Sequence, residues 1–225
     1  MARIARTAPF YDRRDAGRKL AESDELAAYA GRDDAVVLAL PRGGVPVGYE
    51  VAQALDLPLD VFVVRKLGVP GHEELAMGAI ASGGTLVLEE EVLRRLQLDE
   101  ATIAAVAARE QRELEARERL YRDGSNVDLQ GVAGILVDDG LATGSTMRAA
   151  VRALRSRNAN EVIVAVPVAP PESCRMLARE ADKVVCTLTP EAFGAVGLYY
   201  ERFGQTTDEE VVELLERARR RASRR

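Results

Sequence analysis

The chain has 225 residues, 47% apolar and 30% charged, a balance that fits one globular domain of ordinary size, or one domain with an insert, and excludes a disordered chain. Its net charge of −5 argues against a broad nucleic-acid surface, which needs clustered excess Lys and Arg. Apolar runs stay well short of the roughly 18 residues of a membrane span, and residues 1–10 carry cations without the apolar stretch of a secretory leader, so the sequence reads as cytoplasmic, with neither membrane nor nucleic acid as partner.

Short apolar runs rich in Val and Ile recur at 35–40, 59–64, 134–137, 162–166 and 184–188. Runs of this kind suit a parallel sheet covered on both faces. Helical stretches at 45–55, 146–157 and 171–180 alternate with them, which predicts an α/β fold with a parallel sheet of about five strands flanked by helices. Directly after the first run stands Leu40-Pro41-Arg42-Gly43-Gly44-Val45-Pro46. Two glycines between strand and helix let the backbone approach an anion, and Arg42 adds a fork suited to phosphate. Adjacent cations, Arg65 and Lys66, close the second run and open a predicted loop at 67–74 that holds Gly68, Pro70, Gly71 and His72, the single histidine. With no metal-binding or catalytic partners in sight, His72 reads as a solvated loop residue. Residues 75–88, with Gly78, Gly83 and Gly84, read as a hairpin. Residues 89–121 read as helix throughout, with Asp99 placed to cap the second part and Glu113–Arg117, Glu115–Arg119 and Glu118–Arg122 at favourable spacing. The segment 89–123 is thus predicted to be a helical insert, by default a solvated helix covering one edge.

The most specific pattern is G-I-L-V-D-D-G-L-A-T-G-S-T at 134–146. An apolar strand ends in two carboxylates, Asp138 and Asp139, and a turn leads through Thr143-Gly144-Ser145-Thr146 into a helix. The small residues turn backbone N–H groups toward a helix N-terminus, a ready anion site to which the hydroxyls add donors. Acids beside such a cradle would repel a bare phosphate; they make sense against the hydroxyls of a sugar diol or a metal, so the fitting ligand is a sugar phosphate. The spacing matches neither a P-loop nor the dinucleotide fingerprint. Cys174 and Cys186 form no C-x-x-C pair and read as buried small hydrophobes. Residues 193–204, F-G-A-V-G-L-Y-Y-E-R-F-G, hold four of the ten Phe and Tyr, a packing patch or a surface for stacking on a flat ligand. The end of the chain, 216–225, has six Arg against one Glu and reads as a helix end followed by a solvated tail.

The 134–146 pattern resembles the binding motif for 5-phosphoribosyl-1-pyrophosphate (PRPP) of type I phosphoribosyltransferases. The resemblance implies one such domain over 1–225, with a hood plus C-terminal helix at 189–225, and does not extend to the insert at 89–123. It implies that Asp138 and Asp139 hold the ribose hydroxyls, that Ala142, Thr143, Gly144, Ser145 and Thr146 cradle the 5′-phosphate, and that Pro41, Arg42, Gly43, Gly44, Arg65 and Lys66 surround the pyrophosphate. The loop at 67–74 falls where the family has a mobile loop over the site, and a non-proline cis peptide is expected at Pro41–Arg42. Phe193 and Tyr199 fall in the hood that would stack on the acceptor. The implied reaction transfers the 5-phosphoribosyl group to a nitrogenous acceptor, a nucleobase by analogy, with Mg²⁺ held mainly by PRPP and water near the two acids. Arg42, Lys66, Asp138 and Asp139 are the residues implied to act in it. A PRPP-sensing protein without turnover is the alternative, and a homo-oligomer is left open. Ala142 stands where members acting on 6-oxopurines carry an acid, which counts against hypoxanthine or guanine as acceptor.

Overall fold

The computed structural model describes residues 8–121 and 128–223. The leader reading of residues 1–7, the partner Arg122 of Glu118, the last residues of the expected insert, and the terminal Arg224 and Arg225 lie outside the described residues. The chain begins with α1 (Arg13–Ala21), capped by Asp12, whose carboxylate accepts from the Asp15 N–H at 2.8 Å, and a short α2 (Asp24–Ala27). Then come β1 (Ala35–Ala39), α3 (Gly44–Leu55), β2 (Leu59–Val61), β3 (Val64–Val69), β4 (His72–Ala81), β5 (Thr85–Leu88), α4 (Glu90–Leu96) and α5 (Glu100–Tyr121). Strand–helix alternation resumes with β6 (Ala133–Val137), α6 (Ser145–Ser156), β7 (Glu161–Val168), α7 (Pro171–Leu177) and β8 (Lys183–Leu188), and α8 (Asp208–Ala222) follows.

Five strands form one parallel sheet in the order β2-β1-β6-β7-β8, as expected from the apolar runs. Successive strand residues face opposite sides. Val37, Ala39, Ile135 and Val137 enter one apolar layer with α1, α3, α5 and α8; Val36, Leu38, Leu136 and Val164 enter the other with α6 and α7. Both faces are covered, which is why the runs read as continuously apolar. The strand order reverses at β1: β2 lies on one side and β6 on the other. That reversal opens a crevice at the carboxyl ends of β1 and β6, where open α/β sheets take their ligands. The pairing Ala39↔Val137 brings the turns after these two strands side by side.

Four features depart from the sequence reading. The run at 59–64 is not one strand. Phe62 donates to Ala39 O at 2.9 Å, but the Val63 N–H goes to Ser82 Oγ at 2.8 Å, and the chain there enters a separate antiparallel sheet, β3-β4-β5. The expected irregular loop at 67–74 is most of a β-hairpin, because β3 and β4 pair up to Val69↔His72 and turn at Pro70 and Gly71, where Gly71 takes φ +80°. His72 accordingly stands exposed at the start of a strand. The helix at 89–121 is interrupted: Gln97 adopts a left-handed φ of 49°, and Asp99 restarts the helix by accepting from the Thr102 N–H at 2.6 Å. Cys174 and Cys186 are half-buried rather than buried, and their Sγ atoms lie 3.0 Å apart.

The insert is also more than a solvated cover. Val106, Glu110 and Leu114 of α5 are buried, two of them in the α3-side apolar layer. Glu110 holds Arg65 of β3 through Nε at 3.0 Å and Nη2 at 2.7 Å, and Arg109 adds a bond at 3.0 Å. Burial works to raise the Glu110 carboxyl, but the hydrogen bonds and charges of Arg65 and Arg109 outweigh it and hold the group below the usual carboxylate range. A carboxyl depressed in the folded state stabilises the fold above its unfolded pKa and loses that contribution as pH falls through the folded value. Replacing Glu110 by Ala leaves Arg65 half-buried without this partner and should cost about 2–3 kcal/mol at pH 7, read as a lower Tm. In E110Q the deficit against wild type should shrink below about pH 4, and a constant deficit down to pH 3 would refute the charge pairing.

Candidate active site

Asp138 and Asp139 follow β6 directly and stand at the crevice between β1 and β6. The Asp139 N–H donates to Asp138 Oδ1 at 2.8 Å. Burial, and next the charge of Asp139, push the Asp138 carboxyl well above its ordinary value. Burial likewise raises Asp139, with partial relief from Arg13, whose Nε donates to Asp139 Oδ2 at 2.8 Å. The free pair therefore binds a proton more firmly than two exposed carboxylates would.

The turn after β1 presses against these acids. A Cβ on Gly43 would fall on the Asp139 carboxylate, 2.7 Å from its Cγ, and one on Gly44 would lie 2.6 Å from Val137 O and 2.9 Å from Asp138 Cα. The two glycines are thus required by close approach to the acid turn itself. The Pro41–Arg42 peptide is cis, as the resemblance led us to expect. The Arg42 guanidinium extends toward the start of α8, 3.8 Å from Asp208 Oδ2.

Across the crevice, Gly144 caps α6 with φ 72°, leaving Thr143, Ser145 and Thr146 exposed around the helix N-terminus. Thr143 Oγ1 and Ser145 Oγ are 3.3 Å apart. The Ala142 carbonyl is turned away from this crown, accepting from the Ser173 hydroxyl of α7 at 2.7 Å. Lys66 is exposed and, with Thr143, Ser145 and Glu89, lines a cavity of 540 Å³ between β4 and α6. Arg65 faces the other side of β3, on Glu110. Strand alternation thus separates two cations that the sequence set together. Phe193 and Tyr199 stack on each other, centroids 5.6 Å apart at 19°, and Phe193 lines a second cavity, of 310 Å³, with Ala142 and Thr143.

Three residues at the site escaped the sequence reading. Arg13 bridges Asp139 to the C-terminal segment: Nη1 donates to Gly204 O at 2.6 Å, and the guanidinium lies over the Phe203 ring at 3.9 Å. The Tyr200 hydroxyl donates to Asp139 O at 2.5 Å, and burial pushes that hydroxyl up, so it stays a donor. Phe10 pairs with Tyr200 in a parallel bridge, so residues 10–13 and 199–204 together form the wall beside the acids. The clustered aromatics of 193–204 were the one sequence signal for this wall; Arg13, 126 positions from Asp139, carried none.

Comparison with known proteins follows the same outline. The model of the phosphoribosyl transferase domain family matches residues 12–201. The crystal structure of TT1426 from Thermus thermophilus shares 45% identity, covers 92% of this chain and 97% of its own, and superposes with a TM-score of 0.81. Rv0571c of Mycobacterium tuberculosis, provisionally named a phosphoribosyl transferase, is 49% identical over 212 residues, 94% of this chain and 47% of its own length. The chain therefore spans about half the length of the curated relatives it matches. The match over residues 12–201, which runs from α1 through both loops and the acids to Tyr200, makes the chain a member of the phosphoribosyl transferase domain family.

Proposed function

We propose that the chain transfers the 5-phosphoribosyl group of PRPP to a nitrogenous acceptor and releases pyrophosphate. The observation that carries this reading is the shared crevice: two half-buried acids, a Gly-Gly turn and the N-terminus of α6 meet at the carboxyl ends of β1 and β6. In this reading the α6 crown, Ala142 to Thr146, binds the 5′-phosphate. Asp138 and Asp139 accept from the ribose hydroxyls, and the Pro41–Gly44 turn with Lys66 receives the pyrophosphate. The acceptor nitrogen forms a bond to ribose C1 while the C1–oxygen bond to pyrophosphate breaks, with inversion. Such a step calls for positioned charge and exclusion of water, not for a protein nucleophile. The carboxylate pair suits a hard cation: Asp138 and Asp139 would stand beside a PRPP-held Mg²⁺, which would supply positive charge against the leaving pyrophosphate. The 193–204 hood covers the acceptor, with Phe193 toward the cavity and Tyr199 stacked behind it. Arg65, committed to Glu110, supports β3 in place of touching the ligand. Arg13 is a positioning residue: it holds Asp139 in place and favours its ionised form.

The direct test is pyrophosphate release from PRPP and Mg²⁺ across a panel of bases, with thermal stability measured alongside. Turnover supports the proposal. Stabilisation by PRPP without turnover on any base would replace it with PRPP sensing, and neither response would overturn both.

Asp138→Asn should lower PRPP affinity by one to two decades, the loss of a charged hydrogen bond of roughly 1.5–3 kcal/mol. Because the folded state raises this carboxyl, the native fold is destabilised by it at neutral pH, so D138N should match or exceed the Tm of the wild type. Calorimetry and a thermal melt on the same sample check both halves; a variant that melts early with unchanged affinity contradicts the assignment.

PRPP binding that requires ionised acids must release protons, so affinity should rise with pH through the raised pKa of the free pair and then level off. Arg13→Ala removes the cation that lowers Asp139 and should move that rise to higher pH. Below that rise R13A should bind about tenfold more weakly than the wild type, with the loss shrinking once the pair is ionised. A pH-independent loss would mean that Arg13 acts by packing alone.

A further inference from the structure

Cys174 on α7 and Cys186 on β8 have no part in the reaction outlined above. Their Sγ atoms face each other at 3.0 Å, about 1 Å beyond a sulfur–sulfur bond. β8 is the edge strand of the parallel sheet, so among the described residues no further strand covers this side of the molecule. Both cysteines line an open cavity of 390 Å³, together with Lys19, Glu22, Val184 and Thr187. A small solute therefore reaches the pair from solvent. The helix that carries Cys174 also supports the anion crown: Ser173 donates to Ala142 O at 2.7 Å, and Met176 Cε lies 3.0 Å from where a Cβ on Gly144 would stand.

We propose that Cys174 and Cys186 are a modification site, a dithiol that hydrogen peroxide or an organic hydroperoxide entering this cavity oxidises to an intramolecular disulfide. The Cys174 sulfur attacks a peroxide oxygen, the O–O bond breaks, and the departing hydroxide or alkoxide leaves as water or an alcohol after protonation. The Cys186 sulfur then attacks the resulting sulfenic acid; the S–O bond breaks and the Cys186 proton departs with the hydroxyl as water. Two thiols lose two electrons in all, and one peroxide gains them. Either thiol can donate to the other across the 3.0 Å contact; the bond from Cys186 draws Cys174 down to about 7, which favours Cys174 as the attacking sulfur. Closing the bond draws α7 toward β8 and moves Ser173 off the Ala142 carbonyl, so the oxidised form should bind PRPP more weakly. This last consequence rests on the assignment of the 142–146 turn to the 5′-phosphate; the oxidation itself does not.

The test treats the folded, reduced chain with hydrogen peroxide and reads intact mass, free thiols and PRPP affinity before and after reduction by dithiothreitol. The expected result is a mass loss of about 2 Da, disappearance of both thiols, a peptide joining residues 174 and 186, and full reversal. C174S and C186S should each remain unlinked within the chain, and a circular dichroism spectrum establishes that they fold. Sulfinic acid on the wild type without a 174–186 link, disulfides only between chains, or two thiols that survive peroxide sufficient to oxidise free glutathione would each overturn the site. PRPP affinity should fall about fivefold on oxidation of the wild type and not in C186S. An intact disulfide with unchanged affinity overturns the coupling to the crown and leaves the site standing. A reduced protein that binds no PRPP overturns the phosphoribosyl reading instead.

Discussion

Two carboxylates on adjacent residues, taken out of water at the end of a buried strand, repel each other and resist ionisation. Asp138 and Asp139 are held in that state, and the surroundings are arranged around the cost. Arg13 is brought from α1 to offset one charge, a backbone N–H satisfies the other carboxylate, and Tyr200 fastens the main chain just after the pair, at the Asp139 carbonyl. The turn after β1 comes so close that only glycine fits at two positions. None of these contacts removes the repulsion. In the proposed reading, hydroxyl donors of a bound ligand would offset it, and the empty fold carries the cost.

The antiparallel sheet and the insert do a different job. β3 passes Lys66 toward the cavity beside the α6 crown and Arg65 toward α5, and Glu110 anchors that strand through Arg65. The cavity itself is framed by ion pairs, with Arg152 held between Glu89 at 2.5 Å and Glu180 at 2.7 Å. Glu89 stands at the start of α4, so the insert contributes to the rigid frame of the cavity.

What could be read from the sequence was what is local. The 134–146 and 41–44 turns follow directly from a strand and lead directly into a helix, and their chemistry is visible in consecutive residues. The five apolar runs announced a sheet covered on both faces. What could not be read depends on partners far away along the chain. Val63 leaves the parallel sheet because Ser82 accepts its N–H, and nothing within 59–64 foretells that. Residues 67–74 carry the glycines and proline of a loop, yet all but Pro70 and Gly71 belong to β3 and β4, which pair up to Val69↔His72. Gly43 and Gly44 suggested approach to a ligand, and the atoms that first exclude a side chain there belong to Asp139 and Val137. Cys174 and Cys186 looked like two unrelated apolar positions until α7 and β8 brought them into contact.

The parallel bridge between Phe10 and Tyr200 makes the site dependent on the order in which the chain is made. On the ribosome, β1, its glycine turn and α1 are present early, and the acids emerge with β6. The segment that closes the wall, up to the carbonyl of Gly204 that receives Arg13, comes some sixty-five residues later still. Through that interval the wall beside the acids is missing, and the crevice is more open to water than in the finished fold. A nascent chain released early would keep its acids and lack the wall that stands beside them.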